Sequence, residues 1–382
     1  MNIYLDYAAN TPVDERVMNV FSDSTLKYYA NPNSTHPLGK IVKEEIDKAT
    51  ANILNMLKNN CFLDEDMEVI YTSGASESNN LAIKGIASSY KEFGKHIITT
   101  FLEHSSVSSP ITYLKEMGYD IDLLQIGEDG RVDLEHLKRL LRDDTILVSV
   151  CYVDSEVGTV QPISEIANIL KDYPNCKLHV DATQAIGKVV PNFSSVDMIS
   201  FTPHKFYGFN GFGALLKRKN IVLEPIINGG ASTTIYRSGT PVVGQILAME
   251  KALELNFEEF ESRRKCVLEL NEKIVDYVTK LDNVFVNTPD RNDNPFILNI
   301  SIKGAKATEF KGLLERDGVC VSIKSACTVE ITPSRIVMSM TGDRKRALGT
   351  IRISLSHLTT LEEVDIFLNI FEKVYKEIIN GK

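Results

Sequence analysis

None of the six cysteines, at 61, 151, 176, 266, 320 and 327, falls in a C-x-x-C pair or a zinc-ligand spacing, and no H-E-x-x-H occurs. Those absences argue against a disulfide framework and against a metal centre. Long apolar runs are missing as well. The most apolar strand-like run, Thr145 to Val153, is far too short to cross a bilayer, and Met1 to Pro12 lacks the basic start and apolar centre of a targeting segment. No membrane partner is expected, and the expected location is cytoplasmic. No basic run is longer than three residues, as at Arg344-Lys345-Arg346, and the net charge of -9 argues against direct nucleic-acid binding. Internal repeats and low-complexity tracts are absent.

What is present is a 382-residue chain, 43% apolar with both charge signs interspersed, long enough for about two domains. Strand-like runs recur at Glu68 to Thr72, His96 to Phe101, Ile121 to Gln125, Ile146 to Val153, Lys177 to Asp181, Met198 to Phe201 and Gly213 to Lys217, most of them separated by helix-period segments. This alternation predicts an α/β fold with a mainly parallel seven-stranded sheet covered by helices on both faces. From Val243 to Leu281 the pattern predicts long amphipathic helix, with Ile246, Met249, Ala252, Leu253 and Phe257 at helical spacing. Beyond it, strands at Val284 to Asn287, Phe296 to Ile302, Val319 to Ile323 and Ile351 to Leu355, a helix near Ala307 to Glu315 and a final helix from Leu361 predict a smaller α+β domain. The expected division is 15–250 for the large domain and 1–14 with 251–382 for the small one.

Two neighbouring strands end in chemistry. His179-Val180-Asp181-Ala182-Thr183-Gln184 supplies an acid, and Ser200-Phe201-Thr202-Pro203-His204-Lys205 supplies a lysine. An acid that keeps a ring nitrogen protonated and a lysine that forms an imine are the groups a protein must add to pyridoxal phosphate, which brings its own electron sink. Either residue alone also fits an ordinary turn. Strand Glu68 to Thr72 runs into Ser73-Gly74-Ala75-Ser76-Glu77-Ser78-Asn79-Asn80, whose small residues at a helix start form an anion cup, or else an ordinary capped helix. Thr202 and His204 are further phosphate donors, and His104, just after strand His96 to Phe101, is placed to stack on a flat ring. All of these lie at carboxyl ends of strands, where open α/β sheets bind ligands.

Taken together, Tyr4-Leu5-Asp6-Tyr7-Ala8-Ala9, Asn31-Pro32-Asn33-Ser34-Thr35-His36, Thr72 to Asn80, Glu103-His104, His179 to Gln184, His204-Lys205-Phe206-Tyr207-Gly208, Arg237-Ser238-Gly239-Thr240 and Ser325-Ala326-Cys327 resemble the cysteine desulfurases of the class V aminotransferase family. The matches run in order along nearly the whole chain. The resemblance implies a homodimer of pyridoxal-phosphate fold type I, with Lys205 forming the imine, Asp181 facing the pyridinium nitrogen and His104 stacked on the ring. It places Gln184 near the phenolic oxygen and the phosphate on Ala75, Ser76, Thr202 and His204, with Thr240 reaching in from the partner subunit. Asn31 and Arg352 would hold the substrate carboxylate. In such enzymes L-cysteine is the substrate, Lys205 would shuttle the α-proton, and Cys327, on a loop of the small domain, would attack the substrate sulfur, leaving L-alanine and a persulfide. The sulfur then passes to an acceptor protein, a scaffold for iron-sulfur cluster assembly or an enzyme of tRNA thiolation.

The chain also departs from the family. Asp154-Ser155-Glu156 stands where Asn-Asn-Glu is usual, so Ser155 takes the cofactor-binding place of an Asn with a shorter side chain. Gly229-Gly230-Ala231-Ser232-Thr233 replaces a run of three glycines followed by a polar pair. Phe209-Asn210 replaces Pro-Lys, and Lys324 replaces the Gly before Ser-Ala-Cys. Two other readings therefore stay open on sequence alone: a related pyridoxal-phosphate lyase or aminotransferase such as a selenocysteine lyase, and a catalytically weakened paralogue acting through partner binding.

Overall fold

In the computed structural model, which describes residues 2–323 and 332–380, the alternating runs fold as one twisted sheet. Strand β1 is the two-residue Ile3–Tyr4. The sheet is formed by β2 (Met67–Thr72), β3 (His96–Thr100), β4 (Asp120–Leu124), β5 (Thr145–Cys151), β6 (Lys177–Asp181), β7 (Met198–Phe201) and β8 (Gly213–Arg218). They are ordered β2-β8-β7-β6-β5-β3-β4. Only β8 runs against its neighbours, β2 and β7, so the sheet is mainly parallel, as expected. The interior strand β5, Thr-Ile-Leu-Val-Ser-Val-Cys, is buried at every position, the signature of a strand covered on both faces.

Successive residues feed opposite faces. Val69 and Tyr71, Ile98, Val148, Ile199 and Leu216 join one buried cluster, whereas Ile70, Ile97, Leu147, Met198 and Leu215 join another. The period of two along each strand thus builds two cores, and each buried aliphatic side chain contributes about 1.5–3 kcal/mol. Helix Ala75–Ser89 packs on the second face through Leu81, Ala82, Ile83 and Ile86.

A separate cluster is built from Val267, Ile274 and Val278 of helix Phe260–Val278, Phe310 and Leu314 of helix Ala307–Arg316, and Phe367, Phe371 and Val374 of helix Leu361–Asn380. These pack on β9 (Val284–Val286), β10 (Ile297–Ile302) and β12 (Thr350–Ser354), ordered β12-β10-β9 and antiparallel. Strand β11 (Val319–Cys320) pairs in parallel with β1, which ties the N-terminus to this second unit. The stretch expected as one long helix from Val243 is two, Val243–Glu258 and Phe260–Val278. At Glu259 the backbone leaves helical geometry (φ -101°, ψ 5°), and its carboxylate receives Arg16 and Arg263 at 2.5 and 2.6 Å. Ala252, Leu253 and Leu255 belong with the large core and Val267 onward with the small one, so the bend falls between the two.

Candidate active site

Five strands, β2, β3, β5, β6 and β7, end at one edge of the sheet, and their following loops wall a cavity of about 390 Å³. Its lining includes Ala75, Ser76, His104, Ser155, Asp181, Gln184, Thr202, His204, Lys205 and Arg352. These are ten of the sequence-derived candidates, brought together from positions up to 277 residues apart.

Lys205 closes a short turn, Pro203–Lys205, directly after β7. Its Nζ donates to the carbonyls of Ala9 at 2.6 Å and Ala8 at 2.9 Å, so the N-terminal segment is the floor on which the lysine rests. Thr11 laces that floor to the turn: its amide donates to the His204 carbonyl at 3.0 Å, and its hydroxyl receives the Tyr207 amide at 2.8 Å. Tyr207 is held in the left-handed region (φ 67°), a strain a non-glycine residue bears only where its surroundings fix it. Here its phenol bonds Ser356 at 2.7 Å and its ring faces the Arg263 guanidinium.

Asp181 ends β6 with both oxygens occupied: Oδ1 accepts the Thr183 amide at 3.0 Å and Oδ2 accepts Asn79 Nδ2 at 2.8 Å. The other hydrogen of that Asn79 amide goes to Ser106 Oγ at 2.9 Å, which lies 2.9 Å from His104 Nδ1. His104 caps helix Ser105–Glu116, and its Nδ1 also receives the Ser106 amide at 3.1 Å. A backbone donor at Nδ1 fixes the neutral ring as the Nε2–H tautomer. Burial holds His104 below its ordinary pKa; Asp181 opposes this and Lys205 adds to it.

The small residues after β2 form the cup. Gly74 begins helix Ala75–Ser89 without any side-chain cap, which leaves the first-turn amides for an anion. The glycine at Gly213 is required here, because a Cβ on it would stand 2.7 Å from the Gly74 backbone. Beside the cup, Thr202 Oγ1 bonds the Phe212 carbonyl and His204 Nδ1, both at 2.8 Å. Burial, Lys205 and Lys188 push His204 down to about 4, an effect that a bound phosphate would oppose. Glu77 secures the rim: it accepts the Ser73 amide at 2.6 Å and Arg237 Nε at 3.0 Å, bonds that hold its carboxyl below the usual range against the opposing effect of burial.

Arg352, on β12, is 2% exposed rather than a surface strand residue. Its guanidinium donates to the Ser155 carbonyl at 2.8 Å and to Asp6 Oδ1 at 2.7 Å. Asp154 turns away into its own loop, accepting the amides of Glu156 and Val157 at 2.9 and 2.6 Å, and is not on the cavity wall. Its charge therefore does not face the cavity directly.

Asn31 does not join this site. It is exposed, lies outside the cavity lining, and its Oδ1 accepts the Asn33 amide at 2.9 Å in a local turn. Of the two expected carboxylate-holding residues, Arg352 alone lines the cavity. Thr240 is exposed and outside its own chain's cavity. Cys327 and Lys324 lie outside the described residues.

Sequence reasoning gave no role to Asn79, Glu103, Lys188 or Asp6. Asn79, Glu103 and Asp6 lie inside the motifs quoted above, and Lys188 is a charged residue in the apolar run Ala185 to Val190; that was the available signal. Glu103 is half-buried; its Oε1 accepts Thr100 Oγ1 at 2.8 Å and the Cys151 amide at 2.9 Å, while Oε2, itself shielded from solvent, has no partner among the described residues. Burial pushes its carboxyl up to about 8. An acid whose pKa rises on folding stabilises the fold below its unfolded pKa and loses that contribution as pH rises through the folded one. Between about pH 4.5 and 8, Glu103→Gln should therefore flatten the decline of melting temperature with pH, removing a contribution on the order of a few kcal/mol. Parallel slopes for the two proteins would contradict it.

The donor set fits pyridoxal phosphate. An uncapped helix start suits its phosphate, the Asp181 carboxylate suits a protonated ring nitrogen, and Gln184, on the cavity wall, holds a buried Oε1 with no partner among the described residues.

Comparison with known proteins points the same way. Residues 3–367 match the family described as Aminotransferase class-V. The chain is 35% identical over 380 residues to a protein named cysteine desulfurase IscS from Dictyoglomus turgidum, covering 98% of this chain and 95% of that one. A solved NifS-like protein superposes with a TM-score of 0.89 at 33% identity, covering 98% of this chain and all of its own. A structure described as SspA in complex with cysteine superposes with a TM-score of 0.77 at 29% identity, covering 94% of this chain and all of its own.

Proposed function

The chain belongs to the class-V aminotransferase family, and from that premise we propose that it is a pyridoxal-phosphate-dependent cysteine desulfurase, converting L-cysteine to L-alanine and passing the sulfur, through a persulfide on Cys327, to an acceptor protein. The observation that carries this reading is the convergence of Lys205, Asp181, His104 and an uncapped helix start in one cavity whose wall includes the buried cation Arg352. The names of the relatives and the bound cysteine of one structural neighbour support the same reaction.

Ala75, Ser76, Thr202 and His204 would hold the cofactor's phosphate, Asp181 its ring nitrogen, His104 its ring face, and Gln184 with Ser155 its phenolic oxygen. When bound, pyridoxal phosphate supplies the sink for negative charge developing at the substrate's Cα. The protein does the rest. Asp181, fixed by Asn79 and Thr183, is an oriented counter-charge for a protonated nitrogen. Lys205 Nζ, resting on two carbonyls that accept from either its amine or its ammonium form, takes the α-proton and returns a proton. His104 keeps a proton at Nε2. Arg352 orients the substrate carboxylate, and the Cys327 thiolate accepts the sulfur as the substrate's Cβ–S bond breaks and Cβ gains hydrogen.

We further propose a cytoplasmic homodimer in which Thr240 completes the partner's phosphate site, with iron-sulfur cluster assembly or tRNA thiolation as the destination of the sulfur. Incubation of the cofactor-loaded enzyme with L-cysteine and a thiol reductant should release alanine and sulfide in equal amounts. Keto acid in place of alanine would assign an aminotransferase instead.

A further inference from the structure

Asp6 stands where it governs the substrate-holding arginine without touching substrate. A guanidinium has five N–H donors. Arg352 gives one to Asp6 Oδ1 at 2.7 Å and one to the Ser155 carbonyl at 2.8 Å. Three remain, among them Nε–H, which is buried and has no partner among the described residues. Arg352 lines the cavity and Asp6 does not, so the acid meets the guanidinium from outside the cavity wall.

Asp6 is itself fixed. Its Oδ2 accepts the Ser322 hydroxyl at 2.9 Å, and its backbone bridges to Ser354 on the same strand as Arg352. The backbone amide of Arg352 donates to the Ser322 carbonyl at 2.6 Å, so acid, serine and arginine form one closed unit. A guanidinium at 2% exposure needs a counter-charge, because an unpaired buried cation is costly. The lining holds a second cation, Lys205, and Lys188 lies just behind it, donating to the Lys205 carbonyl at 3.3 Å. The lining also holds the carboxylates Asp181 and Glu77, but Asp6 is the acid that bonds Arg352 directly, so without it the charge of Arg352 would face the cavity without that offset.

We propose that Asp6 is a positioning and affinity-setting residue: it orients Arg352 for one α-carboxylate and offsets its charge, so that the amino acid binds and the alanine product, which carries the same carboxylate, is released. The proposal rests on reading the cavity as an L-cysteine site. It predicts opposite effects of two substitutions at one position. Asp6→Asn keeps an acceptor for Arg352 but removes the charge. L-alanine should then bind the cofactor-loaded enzyme about tenfold more tightly by titration calorimetry, with KM for L-cysteine and kcat both lower because product leaves slowly. Asp6→Ala removes the acceptor as well, leaving Arg352 without its orienting partner, and KM should rise about tenfold with a smaller change in kcat. A merely structural role would shift both variants alike.

Unchanged L-alanine affinity in Asp6→Asn, or a raised KM in both variants, would overturn the proposal. Should Asp6→Ala fail to fold, the Asn variant alone decides. The alanine titration involves no turnover, so it reports on Asp6 even if the wild-type enzyme makes no alanine from L-cysteine, the result that would instead remove the desulfurase reading.

Discussion

Lys205→Ala should lower L-cysteine turnover by roughly a thousandfold or more and abolish the visible absorption of the protein-linked cofactor. Among the described residues no other amine lines the cavity. Lys188 is the nearest alternative, but its Nζ donates to the backbone carbonyl of Lys205 and it is not on the cavity wall. Burial, with Lys205 and Arg352 nearby, pushes Lys188 down to about 7, so near neutrality it is poised between charged and neutral forms without access to substrate. Lys205→Arg separates charge from amine chemistry. It restores a cation over the Ala8 and Ala9 carbonyls but cannot deprotonate, and should be as inactive as the alanine variant. Retention of more than about a tenth of the turnover in either variant would remove Lys205 from its assigned role.

Cys327→Ala should leave cofactor binding intact while cutting sulfur delivery to an acceptor by about a hundredfold or more. Three of the other cysteines are poorly suited. Cys151 does line the cavity, but burial and the neighbouring acids Glu103, Asp154 and Asp181 push its thiol well above the ordinary value. Burial also raises Cys61 and Cys176, both deep in the core. A thiolate is required, and none of these three supplies one near neutral pH. Cys327 lies in the Ser325-Ala326-Cys327 motif outside the described residues. The chain re-enters at Thr332 on the wall of a groove of about 750 Å³ that shares Leu102, His104 and Ser155 with the catalytic cavity. Cys151→Ser should therefore keep sulfur delivery near the wild-type level, and the contrast between the two variants separates a persulfide carrier from a bystander thiol.

The strands were legible because period-two burial and flanking small residues mark them without tertiary context. Lys177–Asp181 and Met198–Phe201 fall where expected, and the remaining strands of the large sheet differ by one or two residues at their ends. The break at Glu259 was not legible: the apolar pattern continues through it, and only the distant Arg16 reveals why the helix bends there. At the site, groups with one chemical task, Lys205, Asp181 and the small-residue cup, stood out by residue type at strand ends. Asn79 and Asp6 did not, since their tasks exist only in the partners they hold, Asp181 with Ser106 and Arg352 with Ser322, which lie between 27 and 346 residues away. Asn31 was read from a motif match, which carries no information on which way a loop turns its side chain; here its Oδ1 accepts the Asn33 amide.

A single turnover with L-cysteine in the absence of reductant, followed by mass measurement of the peptide containing Cys327, tests the account most directly. The account predicts a gain of one sulfur atom on that peptide in wild type, sensitive to thiol reductants and absent in Lys205→Ala. An unmodified Cys327 peptide in an enzyme that has formed alanine would contradict it.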